Sequence, residues 1–221
     1  MPAILFGSMS TLVDTSELQR AAFNDAFDVH DLGWTWDREQ YAALLGSSGG
    51  RQRIADHAAA LGEQVDAEAV HQTKSELFLL GLGSSDLPLR PGVADTIQQA
   101  RDGGIALALV TTTSALNVKA LLAAVTPRLG GGSFDVVVDA SAVEQPKPDP
   151  AAYRFAVGRL NQEVSACVAV EDNFGGVQSA RAAGIACVAF PNLNTAEHDF
   201  TAATARLERL DLPALSALIS H

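Results

Sequence analysis

Short, uninterrupted apolar runs alternate with amphipathic stretches along this chain. Five runs rich in Val, Ile, Ala and Leu have the length and composition of strands buried on both faces of a sheet. They cover residues 3–6, 105–110, 134–138, 167–170 and 186–190. Helical patterns separate the later runs, at residues 114–124, 151–160 and 175–183. Repeated strand–helix units are joined by right-handed crossovers, so the pattern predicts an α/β fold with a doubly wound parallel sheet.

The segment from residue 15 to residue 86 has a different pattern. It contains no convincing strand and predicts four helices, at residues 16–27, 38–45, 50–61 and 67–80. Asp37 followed by Gln40 resembles a capping box, and the glycine-rich segment 81–85 predicts the end of the helical region. We expect an inserted helical cap domain of residues 15–86 and an α/β core domain of residues 1–14 and 87–221. The two crossings between them, near residues 14–16 and 84–92, would form a hinge.

Composition narrows the classes of partner. The chain has 221 residues, of which 48% are hydrophobic, and a formal net charge of -11. The acidic balance argues against nucleic acid and anionic membrane as partners, because both are bound through clustered Lys and Arg. Cys167 and Cys187 each lie in an apolar run, which favours two buried, reduced thiols. The N-terminus shows no basic segment followed by a long apolar stretch, so we expect a cytoplasmic protein.

Polar residues follow the predicted strands, where open parallel sheets bind their ligands. Thr111 and Thr112 stand at a predicted helix start, where hydroxyls and free N–H groups bind a phosphoryl oxygen or act as ordinary N-caps. Lys147, between two prolines, offers a point charge to a phosphate or is a solvated surface charge. Glu171 and Asp172 offer oxygen ligands to Mg²⁺ or cap the next helix.

These strand ends resemble the motifs of the haloacid dehalogenase superfamily of phosphotransferases. Residues 7–15, Gly-Ser-Met-Ser-Thr-Leu-Val-Asp-Thr, are similar to its first motif, D-x-D-G-T-L-x-D-[ST]. Residues 145–153 are similar to its K-P-x-P-x-x-Y element, and residues 171–184 to its acidic motif E-D-[SN]-x-x-G-x-x-A-A-x-A-A-G. The resemblance implies that Thr111, Thr112 and Lys147 bind phosphate. It also implies that Asp172 and Glu171 hold Mg²⁺, weakly if at all in this chain.

Gly7 and Met9 stand where the superfamily has its two catalytic aspartates. In relatives that turn over substrate, the first aspartate attacks phosphorus and the second transfers protons. Neither glycine nor a thioether performs these roles, so we expect a catalytically degenerate homologue that retains binding of a phosphorylated metabolite. An active phosphatase with a non-standard nucleophile stays open as the alternative. Ser8 and Ser10 are hydroxyls in this loop, but no His occurs between residues 1 and 23 to activate them.

The segment 15–86 carries a second layer of resemblance, in residues 33–38, 41–45 and 49–54. It looks like the branch of xylulose bisphosphate phosphatases, near the β-phosphoglucomutases. In that branch a basic residue after a Gly-Gly pair holds the distal phosphate of the substrate, a role that would fall to Arg51 or Arg53 unless these are solvated helix charges. The resemblance implies a phosphorylated sugar, or another small phosphorylated metabolite, as the ligand. A protein partner and the oligomeric state stay open.

Five further residues complete the predictions from sequence. Trp34 and Trp36 are expected in the core of the cap rather than under a sugar ring. Gln19 replaces a His that relatives often carry in the helix after the first motif. His198, in the loop after the last predicted strand, is expected on the surface together with its neighbour Asp199.

Overall fold

A computed structural model describes residues 2–45 and 49–219 of the protein. Its centre is a six-stranded sheet of parallel strands in the order β3-β2-β1-β4-β5-β6, which confirms the predicted fold class. The strands are β1 (Ala3–Phe6), β2 (Ala106–Val110), β3 (Val136–Val138), β4 (Cys167–Glu171), β5 (Ala186–Ala189) and β6 (Ala205–Arg206). The reversal of strand order beside β1 brings the carboxyl ends of β1, β2 and β4 together.

Helices flank the sheet and fill the segment between β1 and β2. They are α1 (Ser16–Val29), α2 (Arg38–Leu44), α3 (Gly50–Leu61), α4 (Ala67–Ser84), α5 (Val93–Asp102), α6 (Ala115–Leu129), α7 (Ala151–Leu160), α8 (Phe174–Ala182) and α9 (Leu212–Ser216). The pattern analysis missed α5, α9 and β6. The predicted end of the fourth helix at residue 80 was wrong, since α4 continues to Ser84. Gly81 allows close packing instead of ending the helix, because a Cβ there would overlap the side chain of Leu18 on α1.

Both faces of the sheet are covered, which explains the uninterrupted apolar runs. On β1, Ile4 and Phe6 join one hydrophobic cluster, whereas Ala3 and Leu5 join the cluster on the opposite face. All four are fully buried. Side chains of a strand alternate between faces, so a strand covered on both sides must be apolar at every position. Cys167 and Cys187 are buried, free thiols, as expected.

Helices α1 to α4 enclose an aromatic cluster of their own. Its members share close ring contacts and are almost completely buried; they include Phe23, Phe27, Trp34, Trp36 and Tyr41. The interpretation of both tryptophans as core residues is confirmed. The capping box at the start of α2 is also confirmed, with the N–H of Gln40 donating to Asp37 Oδ1 at 2.8 Å. The division into two domains at residues 15 and 86 stays a prediction.

Two chain segments are paired where the predicted hinge lies. Val13 forms an antiparallel bridge with Leu89, and the N–H of Arg90 donates to the carbonyl of Leu12 at 2.8 Å. The Arg90 guanidinium donates to the carbonyls of Ser10, Phe190 and Pro191 and lies 3.5 Å from the centre of the Phe190 ring. These contacts tie the crossing segments to the end of β5. Among the described residues, no helix has the length and apolar character needed to cross a membrane.

Candidate functional site

Lys147 joins the ends of the three central strands. Its Nζ donates to the carbonyl of Val110 at 2.7 Å, to the carbonyl of Gly7, and to Glu171 Oε1 at 2.6 Å. An ammonium group has three N–H donors, so these three acceptors use its full capacity. The residue predicted to bind phosphate is therefore already bonded to backbone and to a carboxylate of the protein itself.

Glu171 is the anion that Lys147 holds. Its side chain is completely buried, and Oε1 also accepts a hydrogen bond from the Tyr153 hydroxyl at 2.8 Å. Oε2 has no hydrogen-bond partner among the described residues. Burial raises the pKa of Glu171 above its ordinary value, and the Lys147 charge opposes that rise. Burial of Tyr153, together with the negative charge of Glu171, holds the pKa of the Tyr153 hydroxyl well above its usual range.

Two glycines make room for the Glu171 carboxylate. A Cβ placed on Gly7 would overlap the carboxyl group of Glu171 and the hydroxyl of Tyr153. A Cβ placed on Gly176, in the first turn of α8, would overlap the same carboxyl group. Glu171 therefore occupies the space that a side chain at position 7, the nucleophile position of the family's first motif, would need.

Asp172 accepts hydrogen bonds from three neutral side chains. Oδ1 accepts from Ser8 Oγ at 2.7 Å and from Asn173 Nδ2 at 2.9 Å, and Oδ2 accepts from Asn192 Nδ2 at 2.9 Å. Asn192 was missed in the sequence analysis, although its position just after a strand end is the signal that marked the other site residues. Tyr153 was quoted there within its motif without a role.

The oxygens of the acidic pair are largely bound to donors of the protein itself in this arrangement. Asp172 meets amide and hydroxyl donors, whereas the carboxylate of Glu171 turns inward to Lys147. Mg²⁺ requires several oxygen ligands in octahedral geometry. Across residues 2–45 and 49–219, no group of three or more His, Cys, Asp or Glu side chains is arranged to hold a metal ion. The roles of Glu171 and Asp172 as metal ligands stay predictions.

In the loop after β1, neither Gly7 nor Met9 has a side chain that can transfer a proton. Gly7 follows the strand directly, and its N–H donates to the carbonyl of Val170 at 2.8 Å. Met9 begins a short 3-10 turn and is buried in the hydrophobic cluster on one face of the sheet. Its thioether adds apolar contact where the family places a general acid.

The threonines after β2 lie at the same edge of the sheet. Thr111 is buried, and its Oγ1 accepts from the N–H of Thr113 at 3.2 Å, while Thr112 is half-buried. Ser114, rather than either threonine, caps α6 through the N–H of Asn117. The alternative interpretation of the hydroxyls of residues 109–114 as N-caps is thus confirmed for Ser114 and not for Thr111 or Thr112, whose role in phosphate binding stays a prediction.

The two arginines of α3 lie in different environments. Arg51 is exposed and pairs with Glu68 on α4, with 3.5 Å between Nη1 and Oε2. Arg53 is buried, donates from Nε to the carbonyl of Leu44 at 2.9 Å, and lies over the rings of Phe23 and Tyr41. Burial lowers the pKa of Arg53. The interpretation of Arg53 as a solvated helix charge is therefore wrong.

Lys74 on α4 is a buried cation that the sequence analysis missed. Its Nζ lies 4.7 Å from the ring centre of Phe23 and 5.0 Å from that of Phe78, and it donates to Gln19 Oε1. Burial, reinforced by the charge of Arg53, lowers the pKa of Lys74 to about 7. Gln19, the departure noted at the position where relatives often carry His, is thus its polar partner.

His198 is half-buried, which corrects the expectation of a surface residue; Asp199 is exposed as expected. His198 Nδ1 accepts from the N–H of Phe174 at 3.3 Å, at the start of α8. Burial lowers the pKa of His198, against the opposing effects of the Ala42 carbonyl and the Asp172 charge. The loop after β5 thus lies near Asp172 and near α2.

Comparison with known proteins places this site in a family. The haloacid dehalogenase-like hydrolase family matches residues 1–184. Protein CbbY of Rhodobacter capsulatus is 38% identical over 221 residues, covering 99% of this chain and 97% of that protein. The CBBY-like protein of Arabidopsis thaliana is 35% identical and is covered over 74% of its length by 98% of this chain.

Solved structures agree. The crystal structure of CbbY from Rhodobacter sphaeroides in complex with phosphate superposes with a TM-score of 0.85 at 36% identity, over 95% of each chain. A mutant of that protein in complex with xylulose-(1,5)bisphosphate gives 0.86 at 34% identity over 100% of each chain. A β-phosphoglucomutase from Clostridium difficile, at 17% identity and a TM-score of 0.79, shares the fold. The chain belongs to the haloacid dehalogenase-like hydrolase family and is related to the CbbY proteins.

Proposed function

We propose that this protein is a catalytically degenerate homologue of a sugar-bisphosphate phosphatase that binds a phosphorylated sugar without hydrolysing it. The observation that carries the proposal is that position 7, where the family has its nucleophile, is a glycine, and that the Glu171 carboxylate fills the space beside it. Gly7 offers no attacking atom, and the space beside it holds a carboxylate that is completely buried and bonded to Lys147. Met9 offers no proton at neutral pH and is packed into the core.

The ligand class follows from the relatives. A CbbY protein that is similar over the full length of this chain forms complexes with phosphate and, as a mutant, with xylulose-(1,5)bisphosphate. Lys147, Thr111 and Thr112 lie together at the strand ends that would receive a phosphoryl group. A positive charge and hydroxyl donors at such an edge favour an anion.

The proposal extends to the location of the protein and to residues 15–86. We place the protein in the cytoplasm, with residues 15–86 acting as a cap and Arg51 or Arg53 near a distal phosphate. Of the two, Arg51 is the solvent-exposed side chain, and a ligand would compete for it with the exposed Glu68. Mg²⁺ remains the cofactor that the family resemblance implies, and the proposed binding does not depend on it.

Calorimetric titration with xylulose bisphosphate, alongside a phosphate-release assay on the same preparation, tests this function. We expect saturable binding and no release of phosphate, with or without Mg²⁺. Restoring both carboxylates as Gly7→Asp with Met9→Asp is expected to give turnover only in the double variant, and only if Glu171 leaves its present position. Metal-dependent turnover by the wild-type protein that is lost in Asp172→Asn would contradict the proposal.

One observation favours the alternative of an active phosphatase. Ser8 Oγ donates to Asp172 Oδ1 at 2.7 Å, which is the distance of a nucleophile from its base. In that reaction Ser8 Oγ attacks phosphorus, its proton passes to Asp172 and then to the departing sugar oxygen, and water later hydrolyses the phosphoserine. Asp172 also accepts hydrogen bonds from the amides of Asn173 and Asn192, so its oxygens are already bound to protein donors, which favours the binder.

Mass spectrometry of protein quenched during incubation with xylulose bisphosphate separates the two functions. A phosphorylated Ser8 peptide, absent in Ser8→Ala, is expected of the phosphatase. An unmodified peptide together with saturable binding is expected of the binder.

A further inference from the structure

The Glu171 carboxylate has the contacts of a bound anion rather than those of a solvent-facing side chain. It accepts one hydrogen bond from Lys147 and one from Tyr153, is completely shielded from solvent, and fits between two glycines that lack a Cβ. Such a cradle, made of a cation, a hydroxyl donor and close backbone approach, has the features that bind anions in proteins. The cradle is filled by the chain itself.

A phosphoryl ligand needs the same cation. The three donors of the Lys147 ammonium are used by Glu171 and by the carbonyls of Val110 and Gly7, so only the carboxylate is an exchangeable anionic partner. A phosphate beside Lys147 would also face the negative charges of both Glu171 and Asp172. Like charges at such short range repel each other, and burial of the site weakens the screening by water.

We infer that Glu171 is a built-in competitor for the phosphoryl pocket, so that an anion binds Lys147 only by displacing the Glu171 carboxylate. The inference rests on the proposed function and adds to it a residue that sets anion affinity. Glycine at position 7 therefore has two effects. It removes the nucleophile of the family, and it leaves the space that the Glu171 carboxylate occupies.

The glycines offer a way to move Glu171 without changing its charge. In Gly176→Ala, the three atoms nearest to the added methyl all belong to the Glu171 carboxyl group, which ends a flexible side chain. The neighbouring Gly175→Ala is a matched control, because its methyl would meet no atom closer than Asn173 Oδ1 at 3.6 Å. Both positions lie in the first turn of α8, where alanine is a better helix former than glycine.

Titration of the full-length protein with inorganic phosphate in the presence of EDTA tests the inference. Glu171→Gln keeps the shape and removes the competing charge, so we expect phosphate to bind about tenfold more tightly, or better, than to wild type. Gly176→Ala is expected to tighten binding in the same direction. Gly175→Ala and the exposed Glu144→Gln, which removes one charge from the loop that carries Lys147, are expected to match wild type.

The outcomes separate this inference from the proposed function. If phosphate binds Glu171→Gln and Gly176→Ala no more tightly than wild type, while wild type binds xylulose bisphosphate, the inference is wrong and the proposed function stands. If both variants gain phosphate affinity but neither they nor wild type bind the sugar bisphosphate, the inference stands and the proposed function is wrong. Gly176→Ala decides the matter if Glu171→Gln does not fold.

Discussion

Two lysines, Lys147 half-buried and Lys74 buried, show how differently two regions of this protein accommodate a charge. Lys147, at the sheet edge, meets a carboxylate and two carbonyl oxygens. Lys74, among the helices, meets one amide oxygen and two aromatic faces, and no carboxylate of the described residues is paired with it. Burial alone penalises an ammonium group, and only matched anions and oxygens offset that penalty. Lys147 is therefore expected to be needed for stability, whereas Lys74 is tolerated at a cost.

The largest effect is expected from breaking the pair at the sheet edge. Lys147→Met leaves Glu171 as an uncompensated buried carboxylate, so the free energy of unfolding should fall by about 3–5 kcal/mol. Urea denaturation measures the loss. The double variant Lys147→Met with Glu171→Gln should recover part of it, because the buried charge is gone. A single variant as stable as wild type would mean that the pair contributes nothing.

Replacement of Lys74, among the helices, is expected to raise the free energy of unfolding rather than lower it. The fall in the pKa of Lys74 from 10.5 to about 7 corresponds to roughly 5 kcal/mol against the charged form. Lys74→Met also loses the attraction to the rings and the hydrogen bond to Gln19. We therefore expect a net stabilisation of about 1–3 kcal/mol at pH 7. The exposed Lys119→Met is the matched control and should change stability little.

The pH dependence sharpens this prediction. The unfolded chain keeps the Lys74 proton up to about pH 10.5, whereas the folded protein releases it above about pH 7. Between these values the unfolded state holds more protons at this group, so its contribution to wild-type stability rises with pH. The advantage of Lys74→Met should shrink accordingly between pH 7 and pH 10. An advantage that is constant over this range would show that desolvation of the amine is not its cause.

An effect smaller than the loss of Lys147 is expected from the hydroxyl that supports the pair at the sheet edge. Tyr153→Phe removes one donor to the buried Glu171 carboxylate and should destabilise the protein by about 1.5–3 kcal/mol. In the Glu171→Gln background the same substitution should have less effect, because the acceptor is then uncharged. Equal losses in both backgrounds would assign the effect to packing of the ring.

The smallest change in stability is expected on replacing Gln19, the hydrogen-bond partner of Lys74. Gln19→Leu removes the amide oxygen that accepts from the ammonium group and should lower stability by about 1 kcal/mol below pH 7. Above that pH the amine is neutral in the folded protein, and the loss should diminish. Thermal unfolding at pH 6 and pH 9 provides the comparison, and a loss that grows with pH would contradict it.

The sequence predicted the sheet well and the site less completely. Strands β1, β2 and β4 were foreseen because apolar runs without polar interruption fit only strands covered on both faces. Strand β6 is only two residues long and carries no periodic signal. The glycines near the end of α4 predicted the end of the helix, but Gly81 lies within it and allows close contact with Leu18. The strand-end rule correctly brought Thr111, Lys147 and Asp172 to one edge of the sheet.

By itself, the sequence determined the fold, the family and the loss of both motif carboxylates, because these depend on residue type and spacing along the chain. Only the tertiary structure decided which way Glu171 points and where the charge of Lys74 lies. A side-chain rotation depends on the space left by residues distant in sequence, here Gly7 and Gly176, and burial of an amine depends on how α1 packs against α4. Neither is encoded in a local pattern.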